Sequence, residues 1–228
     1  MLPISLRDIE LFLFSARTDA TVARLCASQG ARTAFEAVYS RWDDPWRSAS
    51  LRYHYQRQKY EQVIALIPGG RFRRALDLGC GLGLLAPMLA GRVDEFLGID
   101  IAQGAVDRAR EHHACLPNVS FEQADLLELP SSLDGRFDLV LVLDVLYYLL
   151  DLDDELLKQV VTRIADLSGP GGLCVLANHY FFGVDSNSRL SMRIHRAFTE
   201  SPRFGLLSEH YRPFFLVSFL GSLSTGKT

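Results

Sequence analysis

Residues 76–83 read Leu-Asp-Leu-Gly-Cys-Gly-Leu-Gly, which puts an acid and three glycines at alternate positions: Asp77, Gly79, Gly81 and Gly83. Ala75, Leu76 and Leu78 give the run before the glycines the character of a buried strand, and Leu84 to Leu89 read as the start of a helix. A strand that ends in a glycine-rich bend and enters a helix brings bare backbone against a ligand. Spacing narrows the choice of ligand. A dinucleotide fingerprint, Gly-x-Gly-x-x-Gly, needs its third glycine at position 84, where this chain has leucine.

Four further stations follow. Phe96-Leu-Gly-Ile-Asp100 is a short apolar run ending in an acid, and an acid at the end of a second parallel strand can accept hydrogen bonds from both hydroxyls of a ribose. Asp100 therefore indicates a nucleoside without saying which. Phe121-Glu-Gln-Ala-Asp125-Leu126 ends a third strand opened by Val119 and Phe121. Phe137-Asp-Leu-Val-Leu-Val-Leu-Asp144 is apolar almost throughout, as a strand buried on both faces should be. Gly169-Pro-Gly-Gly-Leu-Cys-Val-Leu-Ala177 turns into a fifth strand.

Asp-x-Gly-x-Gly-x-Gly resembles motif I of the class I methyltransferases, which bind S-adenosylmethionine, and the other stations come in that family's order. The resemblance implies an α/β, Rossmann-like fold: a mostly parallel seven-stranded sheet with an antiparallel last strand and helices on both faces. It also implies that Asp125 accepts from the adenine amino group while Leu126 packs on the ring. The cofactor-binding set it suggests is Asp77, Gly79, Cys80, Gly81, Gly83, Asp100, Ile101, Asp125 and Leu126, with Asp144, Trp46 and Lys59 beside them. For Asp77 it implies a contact with the methionine ammonium, against the alternative of a helix cap.

At 228 residues, with 48% hydrophobic content, the chain can bury one full core. A net charge of −3 argues against a general nucleic-acid partner. Basic residues do gather before the motif, from Arg41 to Arg74, and read more readily as a solvated face than as an anion site. Cys26, Cys80, Cys115 and Cys174 are dispersed, so neither a disulfide framework nor a metal site is expected. No apolar run reaches a membrane-spanning length, and Asp8 and Glu10 stand where a signal peptide would be apolar; a cytoplasmic protein is expected.

Residues 1–34 read as a helical extension of one or two helices, and 35–222 as the methyltransferase domain. Within the latter, 35–67 forms a lid region broken at Asp43-Asp-Pro-Trp46, with a helix over 51–67 that buries Tyr53, Tyr60, Val63, Ile64 and Ile67. Alternation of strand and helix from 74 to 177 demands right-handed crossovers. Residues 178–203 form an insertion with a helix near 189–199. Phe204–His210 and Phe214–Leu220 suit a closing hairpin, and 223–228 a frayed tail.

Asp44-Pro-Trp46, Tyr55-Gln-Arg-Gln-Lys-Tyr60 and Asp144-Val-Leu-Tyr-Tyr-Leu149 are similar to the NodS-like branch of these methyltransferases, whose namesake methylates a glucosamine amine of a chito-oligosaccharide. Gln56 and Asp144 depart from it, each standing where the branch has Glu. The resemblance implies a small-molecule or glycan acceptor and leaves the oligomeric state open. Asp144, at the end of strand four, is the candidate to hold the acceptor or take its proton. Tyr147 and Tyr148 begin the next helix, one facing the site, and His179 is a second candidate base. Trp46 is a candidate lid over the cosubstrate or a core residue. Lys59 or Arg57 is a candidate partner for the methionine carboxylate, against a solvated helix face. Three readings follow: methyl transfer to an amine, methyl transfer to a hydroxyl, or an inactive sensor or partner subunit that binds the cosubstrate. Intact Asp77, Asp100 and Asp125 argue against the last.

Overall fold

The computed structural model describes residues 6–149, 152–212 and 214–223. Seven strands form one sheet in the order β3-β2-β1-β4-β5-β7-β6. β1 (Phe72–Leu78), β2 (Val93–Asp100), β3 (Val119–Gln123), β4 (Phe137–Leu143) and β5 (Ser168–His179) are parallel. β7 (Phe215–Ser222) is antiparallel to both β5 and β6 (Phe204–Arg212), which closes the sheet as the expected hairpin. The fold is the Rossmann-like arrangement expected from the sequence.

Alternation along each strand sorts the core into two layers. Ala75, Phe96, Leu139, Leu141, Val175 and Val217 face α3 (Tyr55–Leu66), α4 (Ala86–Leu89) and α5 (Gln103–His112). Leu76, Ile99, Val140, Val142, Cys174 and Leu220 face α6 (Asp154–Leu167) and α7 (Ser186–Thr199). The chain leaves β1 for β2 and β3 on one side, then crosses to β4 and β5 on the other. Loops from β1 and β4 diverge at that reversal and leave a crevice at the carboxyl edge.

Ahead of the sheet, α1 (Leu6–Gln29) is a single helix packed on α2 (Ala31–Arg41). Tyr53 is buried as expected but precedes α3. The helix expected from Leu84 amounts to one turn, and Gly91 lies in the 3₁₀ turn that separates it from β2. α7 starts at Ser186 because Asp185 caps it, accepting from Ser188 N at 2.8 Å. Residues 1–5 of the extension and 224–228 of the tail lie outside the described residues. No described helix is long and apolar enough to cross a membrane.

One ring sets how closely the glycine loop approaches β2. A Cβ on Gly98 would lie 2.6 Å from the Phe121 ring, and one on Gly83 would lie 2.7 Å from the same ring. Gly98→Ala should therefore destabilise the fold by roughly 1–3 kcal/mol through overpacking. Phe121→Leu in the same chain should recover part of the loss, and urea unfolding of the two variants checks this. Gly98→Ala with wild-type stability would mean the ring is free to move.

Candidate active site

A cavity of about 480 Å³ occupies the crevice, within the size range of small-molecule sites. Its floor is the glycine loop, where Gly79, Gly81 and Gly83 have φ of 71°, 52° and 72°, a left-handed backbone that glycine adopts without a Cβ penalty. The three glycines serve different ends. A Cβ on Gly79 would collide with the Val145 side chain, and one on Gly83 would meet Phe121, so both are fixed by internal packing. Gly81 has only the Tyr39 hydroxyl near, at 3.1 Å, and opens on the cavity.

The loop also spends its N–H groups internally. Gly79 N and Cys80 N both donate to Ile99 O, at 2.8 and 2.9 Å, and Gly83 N donates to Cys80 O at 2.8 Å. Gly81 N donates to Asp100 Oδ2 at 2.9 Å, while Asp100 Oδ1 accepts from Ala102 N at 3.0 Å. A phosphate-binding loop must keep such donors for its ligand. Here those of Gly79, Cys80 and Gly81 are satisfied by the end of β2 and that of Gly83 by Cys80 O, so these four offer a ligand space rather than amide donors.

Two buried acids line the same cavity. Burial raises Asp77 well above the usual carboxylate range, and the Asp100 charge adds to the effect. Burial also raises Asp100, partly offset by its bonds from Ala102 and Gly81. Cys80 is a buried wall residue whose thiol is pushed up by burial and by the two acids. Ile101, Asp125 and Leu126 complete that side. Asp125 Oδ1 accepts from Leu127 N at 2.9 Å, which fixes the carboxylate at the head of a short 3₁₀ turn.

The roof comes from the amino-terminal segment. Trp46 lines the cavity and packs against Phe35, Tyr39 and Tyr148 at centroid distances of 6.1, 6.0 and 5.7 Å. Glu36 on α2 accepts from Gln103 N at 2.6 Å and Gly104 N at 3.3 Å, anchoring the roof to the first turn of α5. Sequence reasoning missed Phe35 and Tyr39 as wall residues. Their i, i+4 spacing on one helix face was the available signal.

The opposite end departs from the sequence expectations. Lys59 is 2% exposed, neither on a solvated face nor among the cavity-lining residues, and its Nζ lies 2.5 Å from Asp144 Oδ2. Arg57, its alternative, pairs with Glu61 in solvent. Asp144 lines the cavity with a left-handed backbone (φ 57°), and its Oδ1 is buried without a hydrogen-bond partner among the described residues. His179, the second expected base, does not line the cavity; its Nε2 lies 3.6 Å from Asp185 Oδ2 beside α7. Tyr147 and Tyr148 both line it, in a 3₁₀ turn rather than at the start of α6. Burial raises both phenols well above their ordinary range, so they remain protonated donors rather than bases.

Residues 75–172 match the family model described as "Methyltransferase domain". Over those residues the chain is similar to methyltransferases, in keeping with the class I resemblance of its motifs. Its relatives include nodulation protein S of Rhizobium tropici, 30% identical over 142 residues that cover 62% of this chain and 55% of that protein. A ubiquinone biosynthesis O-methyltransferase of Alkalilimnicola ehrlichii is 34% identical over 139 residues, 60% of this chain and 54% of that one. The chain thus spans just over half the length of these curated relatives. Among solved structures, N-methyltransferase NodS from Bradyrhizobium japonicum WM9, in complex with S-adenosyl-L-homocysteine, superposes with a TM-score of 0.68 at 21% identity, covering 83% of this chain and 98% of that one.

The raised Asp77 has a consequence for stability. With its folded-state pKa above the ordinary 3.8, the folded protein binds more protons than the unfolded chain between the two values. Stability must therefore fall as pH rises through that window and level off above the raised pKa. Asp77→Asn removes the group, so in ligand-free protein its stability advantage over wild type should widen from pH 4 upward. Urea unfolding across pH 4–8 measures this, and a difference that does not change with pH would show that Asp77 is not held protonated by burial.

Proposed function

We propose that this protein binds S-adenosylmethionine in the cavity and transfers its methyl group to an amine of a small molecule or glycan. The observation that carries the binding half is the glycine loop with the N–H groups of Gly79, Cys80, Gly81 and Gly83 already spent, beside two buried carboxylates. That combination repels a pyrophosphate and favours a cationic nucleoside. Each carboxylate oxygen offers about two lone-pair sites, and Asp100 uses one on each for backbone, leaving two for the ribose hydroxyls. Asp77 would take the ammonium, Asp125 and Leu126 the adenine, and Gly81 the close approach of the ligand. Trp46 and Tyr148 would exclude water from above.

S-adenosylmethionine supplies a methyl group already activated by its sulfonium, so the protein's task is alignment. Asp144 Oδ1, buried and unpartnered at the cavity wall, is the group suited to receive an acceptor's N–H. Its other oxygen is held by Lys59, which fixes the carboxylate's orientation and makes it an acceptor of hydrogen bonds more than a free base. A second reading, transfer to a hydroxyl, draws on the ubiquinone-pathway relatives. It would require Asp144 Oδ1 to take the hydroxyl proton, since His179 does not line the cavity.

Calorimetry tests the binding half: the wild-type protein should bind S-adenosylmethionine and not NAD. Asp100→Asn, which keeps one acceptor oxygen but turns an NH2 toward Gly81 N or Ala102 N, should weaken binding by about 1.5–3 kcal/mol, the range for a hydrogen bond to a charged group. Asp100→Ala is a poorer probe still, because it strips the partners of both Gly81 N and Ala102 N where Asn keeps one. Release of S-adenosylhomocysteine from deacetylated chito-oligosaccharides and amino sugars, but not phenols, supports the amine assignment. Release from phenols alone transfers it to the hydroxyl reading.

A further inference from the structure

α1 lies ahead of the residues matched by the family model, yet one of its side chains reaches two walls of the cavity. Asp19 Oδ1 accepts from Trp46 Nε1 at 2.8 Å and from the Tyr148 hydroxyl at 2.7 Å. Trp46 belongs to the amino-terminal roof and Tyr148 to the turn after β4, and both line the cavity, whereas Asp19 does not. A single carboxylate oxygen therefore joins the roof to the edge of the sheet. The neighbouring Thr18 adds a bond from its Oγ1 to Pro45 O at 2.9 Å, which seats the backbone just before Trp46.

Among the described residues no other side chain accepts a hydrogen bond from both aromatics; Phe35 touches both rings, at centroid distances of 6.1 and 5.4 Å, but directs neither donor. Glu36 ties α2 to α5 on the far side of the roof, so that side is anchored independently of Asp19. On the Trp46 side, the contacts to Phe35, Tyr39 and Tyr148 are ring against ring at 5.7–6.1 Å, and they define no orientation for the indole N–H. Hydrogen bonds to a charged acceptor are both stronger and more directional than such contacts.

We propose that Asp19 is a positioning residue that latches the roof shut, holding Trp46 and Tyr148 in the arrangement that receives the cosubstrate. This rests on the cavity being the S-adenosylmethionine site. If loss of the latch leaves the roof closed about one-tenth of the time, apparent affinity falls about ten-fold, because only the closed fraction binds.

The test uses the full chain with Trp42→Phe, leaving Trp46 as the only tryptophan. In ligand-free protein, Asp19→Leu should shift Trp46 emission to the red while far-UV circular dichroism is unchanged; an unshifted spectrum overturns the latch whatever the ligand. With S-adenosylhomocysteine as probe, Asp19→Leu should raise Kd about ten-fold. Asp19→Asn, whose amide oxygen can accept both bonds, should recover most of that loss. An unchanged Kd for Asp19→Leu, even with a lower Tm, reduces Asp19 to a structural role and overturns the proposal, as does an Asn variant no better than Leu. Should Asp19→Leu fail to fold, Trp46→Phe with Tyr148→Phe removes both donors without touching α1 and should give the same rise in Kd; an unchanged value overturns the latch. If Asp19→Leu shifts the emission but the Trp42→Phe parent and the wild-type protein both bind no S-adenosylhomocysteine, the cavity assignment is at fault instead.

Discussion

The end of β2 satisfies the glycine loop, and the site depends on that. Ile99 O takes two of the loop's N–H groups and the Asp100 side chain a third. Unpaired buried N–H groups would each cost about 1–3 kcal/mol, so the bond to Asp100 stabilises the loop before any ligand arrives. The same carboxylate accepts from Ala102 N just ahead of α5, which ties loop, strand and helix entry to one buried acid. Gly98 and Gly83 make the approach possible by leaving room for Phe121. A loop built this way presents shape and negative charge where a phosphate site presents N–H donors. Its ligand class follows from that difference more than from the glycine count.

What was legible in the sequence was whatever depends on local spacing. The acid and glycines at 77–83, the acids closing β2 and following β3, and the apolar run of β4 all lie where strand periodicity put them. The hairpin of β6 and β7 was equally plain, because two apolar runs separated by a proline leave few alternatives. Partnerships formed across the fold were not legible. Lys59 and Asp144 are 85 residues apart, and nothing in either neighbourhood announces an ion pair. A lysine on a helix surrounded by Gln and Arg reads as solvated, yet α3 turns it onto the sheet edge, where Asp144 waits in a left-handed conformation that only the surrounding structure can enforce. His179 misled for the opposite reason. Its position at the end of β5 was read correctly, but its ring lies beside Asp185 at the head of α7, 3.6 Å away, and not in the cavity wall.

The arrangement of charge connects stability with ligand choice. Asp77 and Asp100 share one buried cavity, and neither forms an ion pair among the described residues, while the one buried lysine is committed to Asp144. A fold selected for stability alone would not keep two such acids, because ionising each in a buried place costs free energy that its raised pKa records. A cationic ligand reverses that cost. By favouring the ionised carboxylates it binds the folded state over the unfolded one, and it stabilises the protein in proportion to the logarithm of its concentration. Lys59 sharpens the contrast by neutralising the acid at the far end. The negative charge left for a ligand is concentrated at the ends of β1 and β2, where a nucleoside carrying an ammonium would lie. The Asp144 end keeps an oriented acceptor oxygen with its charge balanced. In the proposed function one end of the cavity discriminates by charge and the other by hydrogen-bond geometry, a division suited to holding a charged methyl donor beside a neutral amine.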